Sequence, residues 1–282
     1  MYTVLPSALI IVQIPLRRTY GTNSKLVEVT HQEDTGIATI SMASPPVNSL
    51  NTEMLGALNE SLLNAQNQRY KGVILTSSLQ SIFTGGLDIR EMYNRDENQL
   101  TKFWTTLQDT WLTLYGLEMP VAAAVNGASP GAGCLLALSC EYRVLVDGKH
   151  TIGLNETQLG IAAPEWFKNL YVDVMGYRKA EIGLLRGTLF RPQEALKIGL
   201  VDELATDKED AIKKCQEYIQ SFKRIPCKYG IGRFKTKMEL RKRNLLWLKV
   251  NKNMDLNEFL TFVQTPEVQA NLKTYIELLK KK

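Results

Sequence analysis

Two glycine-bearing segments and one carboxylate are the groups of this sequence best placed to do chemistry. In residues 83–89 (FTGGLDI), Gly85 and Gly86 lie between a strand-like run and a charged helix start. Backbone can approach a ligand closely there, and consecutive N–H groups meet a positive helix end. Residues 126–138 (NGASPGAGCLLAL) repeat the arrangement, which places the N–H groups of Ala132 and Gly133 at a second helix start. If the two segments converge, one N–H from each would clamp a single carbonyl oxygen and stabilise an enolate or a tetrahedral oxyanion. The third group is Glu156, beside Asn155 in the turn-prone stretch 152–161 (IGLNETQLGI). A carboxylate with apolar flanks, desolvated in a pocket, has a raised pKa and suits general-base work. None of the three decides anything alone, because glycine is common at strand–helix junctions and most glutamates lie at surfaces.

Gly127, Ser129 and Gly131 also fit GxSxG, the nucleophile elbow of serine hydrolases. That elbow needs a histidine downstream of an acid. His150 stands only three residues after Asp147 and no histidine follows it, which disfavours the hydrolase.

Elements able to position these groups are visible around them. Alternating apolar residues in LVEVTH and GIATISM predict two strands joined by a turn at residues 34–36. Asn51 is a candidate N-cap for an amphipathic helix carrying Met54, Leu55, Leu58, Leu62 and Ala65 on one face. GVILTS (72–77), VAAAV (121–125) and YRVLVD (142–147) read as further strands, and residues 98–117 as a second helix with Phe103, Leu107, Trp111, Leu114 and Tyr115 on its apolar side. Strands alternating with helices predict an α/β fold with a mixed or largely parallel sheet. Beyond residue 206 the pattern is helical and rich in Lys and Arg. The expected division is a segment 1–24, a catalytic core 25–206 and a helical C-terminal subdomain 207–282.

At 282 residues, 44% hydrophobic and 22% charged, the chain can bury a sizeable core. The net charge of +5 is spread along the chain and no nucleic-acid-binding motif accompanies it, so nucleic acid is not an expected partner. Two histidines and four cysteines without CxxC spacing make a metal site unexpected and point to reduced thiols. The first 24 residues contain no acid, and Arg17 and Arg18 follow an apolar stretch too short to span a bilayer. Secretory signals place positive charge before the apolar stretch, so a mitochondrial presequence is the expectation.

Taken together, PPVNSL (45–50), FTGGLDI, NGASPGAGCLLAL, CEYRV (140–144) and NETQLGI (155–161), in this order from about residue 26 onward, resemble the crotonase (enoyl-CoA hydratase/isomerase) superfamily. Within it they look most like the delta-3,delta-2-enoyl-CoA isomerases of mitochondrial fatty-acid β-oxidation. The resemblance implies a spiral of repeated ββα units, with C-terminal helices that assemble homotrimers. It implies an acyl-CoA substrate, no cofactor beyond the CoA of the substrate, and a location in the mitochondrial matrix. It assigns the oxyanion donors to the N–H groups of Leu87 and Ala132 and the base to Glu156. Gly85, Gly86, Leu87, Asp88, Ile89, Ala132 and Asn155 then lie at the substrate. Two positions depart from the family pattern, Gly85 where Ala is usual and Ala132 where Gly is usual, and both keep their N–H. Hydratases of the superfamily carry a second glutamate where this chain has Leu135, so a double-bond shift by one carboxylate is the favoured activity. Hydration, dienoyl isomerisation and acyl-CoA binding without catalysis are the alternatives.

Basic residues near the C-terminus, among them Arg233, Lys235, Lys237, Arg241, Lys242 and Arg243, read either as contacts for CoA phosphates or as a solvated helix face. Phe103, Trp104, Trp111 and Tyr115 read either as an acyl tunnel or as ordinary core.

Overall fold

The computed structural model describes residues 18–19, 26–222 and 231–280. The expected presequence, Arg18 and Thr19 apart, and Cys227 lie outside the described residues.

Runs of β-branched and small apolar residues build a seven-stranded sheet. Its strands are β1 (Arg18–Thr19), β2 (Val27–Gln32), β3 (Ile37–Met42), β4 (Gly72–Ser77), β6 (Val121–Val125), β8 (Tyr142–Val146) and β10 (Glu203–Ala205), hydrogen-bonded in that order. The first three are antiparallel and all later pairings are parallel. β4 and β6 are buried along their whole length, the pattern of strands covered on both faces. Their side chains part by alternation. Val73, Leu75, Ala123 and Val125 join the main core, whereas Ile74, Ala122, Ala124 and Val144 pack against Ala211, Cys215 and Ile219 of α7 (Lys208–Ser221).

A second sheet holds three short parallel strands, β5 (Ser81–Ile82), β7 (Gly127–Pro130) and β9 (Ile152–Gly153). Each follows the neighbouring strand of the large sheet and precedes a helical segment. β4 and β5 lead to α2 (Glu97–Gly116), β6 and β7 to α3 (Ala132–Ser139), and β8 and β9 to a 3-10 turn at Glu156–Leu159. These are the repeated ββα units of the spiral. β3 begins a further unit, in which Leu50 bridges to Leu87 in place of a second strand and α1 (Thr52–Asn67) follows. The Asn51 side chain caps α1 by accepting from the Met54 N–H, and Asp96 with Gln99 closes a capping box on α2. Sequence reasoning left unassigned α4 (Glu165–Met175), α5 (Tyr177–Arg186) and α6 (Pro192–Ile198).

The helical region after residue 206 divides by what it packs on. α7 covers one face of the large sheet, whereas α8 (Ile231–Val263) lies along α2 and continues into α9 (Pro266–Leu279). Lys235, Lys242 and Arg243 of α8 are exposed, as the solvated-face reading expected, whereas Arg233, Lys237 and Arg241 are placed otherwise than either reading. Lys237 is buried, donates to the carbonyls of Leu117 and Met119 and pairs with Glu141. Arg241 donates to the carbonyl of Tyr115 and lies over its ring, Arg233 pairs with Glu141, and Arg243 pairs with Asp173. Lys237 and Arg241 thus gather at the C-terminal end of α2, where unpaired carbonyls and the helix dipole favour positive charge. Replacing Lys237 with Met takes the donor from one buried and one part-buried carbonyl and the cation from Glu141, and the expected loss of stability is about 3 kcal/mol. Denaturant unfolding measures it, and a loss below about 1 kcal/mol would mean that the contacts contribute nothing.

Candidate active site

PPVNSL holds the first glycine segment in place. Asn48 is fully buried; its amide donates to Met42 O, Ser77 Oγ and Phe83 O, and its Oδ1 accepts from the Ser44 N–H. Gly85 N–H donates to Val47 O, Leu50 N–H to Gly86 O and Asp88 N–H to Leu50 O. The bonds on either side of Leu87 point one way and its own N–H points the other, with no acceptor among the described residues. A methyl group at Gly85 would come within 3.2 Å of Val47 Cγ2, so Val47 fills the space an alanine there would need.

The second segment meets the first. Ala132 is the first residue of α3, so its N–H has no partner within the helix, and none among the described residues. Gly86 has φ +86, and a Cβ built on it would stand 3.0 Å from Pro130 O and 3.8 Å from Ala132 N. Gly131 has φ +54, and a Cβ there would stand 3.6 Å from both Glu156 Oε1 and Asn155 Oδ1. Side-chain-free backbone is therefore what lets Leu87, Ala132, Asn155 and Glu156 meet at one place. Asp88 and Ile89 follow on: the Asp88 carboxylate is taken by Arg90 at 2.6 Å and Ile89 enters the core.

Glu156 opens the 3-10 turn and is 8% exposed, and its Oε2 has no hydrogen-bond partner among the described residues. Burial pushes its pKa up to about 7, against a small opposing pull from its own N–H. The Cys134 thiol beside it is pushed well up by burial and further by the Glu156 charge, which keeps it protonated. Since the folded-state pKa of Glu156 exceeds the ordinary 4.5, its contribution to stability is whole below pH 4.5 and is lost as pH rises through about 7. Relative to Glu156→Gln, the wild-type chain should lose about 3 kcal/mol across that window. Thermal unfolding of both proteins at pH 5 and pH 8 checks the sign; equal losses in both would contradict the burial.

Glu156 and Leu87 face an apolar cavity of about 40 Å³, with Ile161, Phe167, Trp104 of α2 and Phe259 of α8 among its walls. Glu156 is the one ionisable side chain lining it among the described residues. Leu135, one turn into α3, is buried and apolar. Of the four candidate tunnel aromatics only Trp104 reaches the cavity, and Phe103, Trp111 and Tyr115 are core. Ser129 is fully buried in β7 rather than raised on an exposed elbow, which removes the hydrolase reading.

The family model described as Enoyl-CoA hydratase/isomerase matches residues 32–282. The chain belongs to the enoyl-CoA hydratase/isomerase family. Among the family's members it is similar to the mouse protein named enoyl-CoA delta isomerase 1, mitochondrial, at 42% identity over 92% of this chain and 89% of that one. The crystal structure of human mitochondrial delta3-delta2-enoyl-CoA isomerase is 38% identical and superposes with a TM-score of 0.87, covering 91% of this chain and 98% of that one. An enoyl-CoA hydratase from Bacillus halodurans, 21% identical, shares the fold with a TM-score of 0.79, covering 88% of this chain and 99% of that one.

Sequence reasoning missed the far side of this family site. Phe259, Phe262 and Val263 of α8 and Val268 of α9 close the cavity. Gln269 of α9 accepts from the Asn94 N–H and donates to Met92 O, just beyond the first donor segment. Asn271 lies against Gly160 at the end of the Glu156 turn, where any side chain would fall 2.1 Å from its Nδ2. The apolar i, i+3, i+4 spacing of Phe259, Phe262 and Val263 was the available signal.

Proposed function

We propose that the chain converts 3-cis- and 3-trans-enoyl-CoA to 2-trans-enoyl-CoA in the β-oxidation of unsaturated fatty acids. The observation that carries this reading is that, among the described residues, Glu156 is the single ionisable side chain in an apolar cavity, beside two uncommitted N–H donors. The thioester oxygen sits between the N–H groups of Leu87 and Ala132. Glu156 as carboxylate takes a proton from C2, the C–H electron pair moves into the thioester and the enolate oxygen is held by the two donors. Protonated Glu156 then returns the proton at C4, and the double bond ends between C2 and C3. Gly85, Gly86, Leu87, Asp88, Ile89, Ala132 and Asn155 border the thioester. With Leu135 where a second acid would have to stand, the cavity has, among the described residues, no second ionisable group to deliver water. The shuttle needs no cofactor, since CoA is part of the substrate.

The same reading places the enzyme in the mitochondrion, as the mouse and human relatives are named, and in its matrix. It keeps the core at 25–206 and the C-terminal helices at 207–282, and makes the protein a homotrimer. Exposed apolar residues of α8, Leu240 at 79% and Val250 at 78%, support an interface between copies. Among the described residues no helix is long and apolar enough to cross a membrane.

Incubation with cis-3-hexenoyl-CoA, followed by the absorbance of the conjugated thioester, tests the activity. A parallel assay couples 2-trans-enoyl-CoA to a 3-hydroxyacyl dehydrogenase and reads hydration. Fast conjugation with negligible hydration is expected. Hydration without conjugation would replace the isomerase by a hydratase, and silence in both would leave an acyl-CoA binder.

A further inference from the structure

Asp255 is a carboxylate that the proposed shuttle does not use. It stands on α8, 3% exposed, and no ion pair involves it among the described residues. Its Oδ2 accepts from Trp104 Nε1 and from Gln108 Nε2, both at 2.7 Å, and its Oδ1 accepts from Trp166 Nε1 at 3.1 Å. All three neighbours are donors. A protonated carboxyl would turn its own O–H toward one of those N–H groups, so the arrangement is built for the anion. Neutral donors in place of a cation are unusual for a buried charge, and they need all three bonds to hold it.

The three donors lead to the cavity. Trp104 lines it and lies flat on Phe259, with ring centroids 3.9 Å apart and planes 6° from parallel. Phe259 follows Asp255 by one helical turn, so one face of α8 grips the indole by its N–H edge and by its ring face. Trp166 is followed by Phe167, a second wall residue, whose ring it meets edge-on at 4.6 Å. Asp255 touches neither the cavity nor Glu156 and still fixes aromatic wall residues carried on α2 and α4.

We infer that Asp255 is a positioning residue that sets how far the Trp104 wall stands into the acyl cavity, and so sets which acyl chain length is preferred. This rests on the isomerase reading of the site. Without the anion the indole is no longer held by its edge, the wall recedes, short chains lose contact and long chains gain room.

The experiment measures kcat and KM for hexenoyl and dodecenoyl 3-enoyl-CoA with the wild-type chain, Asp255→Asn, Trp104→Phe and the double variant. Asp255→Asn puts an NH₂ against N–H donors and should lower the short-over-long ratio of kcat/KM roughly tenfold, through KM rather than kcat. Trp104→Phe deletes the N–H while keeping a ring on Phe259 and should move the ratio the same way. The double variant should shift it no further than the larger single change. A general loss of packing would lower both substrates together, so a ratio unchanged in both single variants, or additive shifts, would overturn the inference. If Asp255→Asn does not fold, Gln108→Leu, which removes a donor to Asp255 and does not line the cavity, decides by the same ratio. A wild-type chain that conjugates neither substrate would overturn the isomerase reading and this inference with it, whereas an unchanged ratio in active variants sinks only the role of Asp255.

Discussion

Replacing Glu156 with Gln should lower turnover of a 3-enoyl-CoA by roughly 100- to 10,000-fold, the range of a lost carboxylate base. Acyl-CoA affinity should stay close to that of the wild type. Gln keeps the volume and hydrogen-bonding capacity of Glu, and the Leu87 and Ala132 N–H groups proposed to hold the thioester do not depend on the 156 side chain. What Gln cannot do is take a proton from C2. The wild-type pH profile should agree with this, with kcat/KM rising tenfold per pH unit through the acid range and levelling near pH 7, where burial has pushed the Glu156 pKa. Titration calorimetry with a non-reacting acyl-CoA separates binding from turnover. A Gln variant that loses affinity as heavily as rate would move Glu156 from proton shuttle to binding group, and one that keeps its rate would remove the mechanism.

Gly86→Ala should lower kcat by roughly 100-fold while leaving Glu156 untouched. The reason is geometric. Gly86 holds φ +86, and the added methyl would stand 3.0 Å from Pro130 O and 3.8 Å from Ala132 N, between the two segments whose N–H groups are proposed to point at one oxygen. Relief requires either a turn of the 86–87 peptide, which swings the Leu87 N–H away, or a parting of the loops, which widens the gap between donors. The left-handed backbone adds about 1–2 kcal/mol of strain. Gly56→Ala is the control, since a Cβ at that position in α1 meets nothing within 4 Å and helix propensity favours it. Both variants should melt as cooperative folds, with only Gly86→Ala losing turnover. Full kcat in Gly86→Ala would show that the two donors do not act on a common atom.

Much of this was legible in the sequence, for identifiable reasons. β4 and β6 are buried on both faces, so their sequences read as uninterrupted apolar runs, and α1 announced itself through the Asn51 cap and its apolar spacing. The two glycine segments and Glu156 could be picked out because the backbone approach they require restricts residue type. β5, β7 and β9 were not legible: they are two to four residues long and too short to show alternation. Lys237 and Arg241 were misread because a basic residue in a helix is ordinarily solvated, and nothing in the local sequence reveals that the end of α2 lies opposite. The cavity wall was missed for a related reason. Phe259 stands more than a hundred residues after Trp104, and only the tertiary fold brings the two rings together.

The fastening of α9 to both reactive loops also orders events during synthesis. Gln269 and Asn271 are translated after the donor segments and the Glu156 turn, so a nascent chain can complete both sheets while the pocket still lacks its closing wall. A chain that ends before residue 266 would lack Val268 from the cavity wall, Leu272 from the core, and the contacts of Gln269 and Asn271 with Met92, Asn94 and Gly160. The bracing of the two loops from α9 is thus added to sheets whose strands have all been made before it.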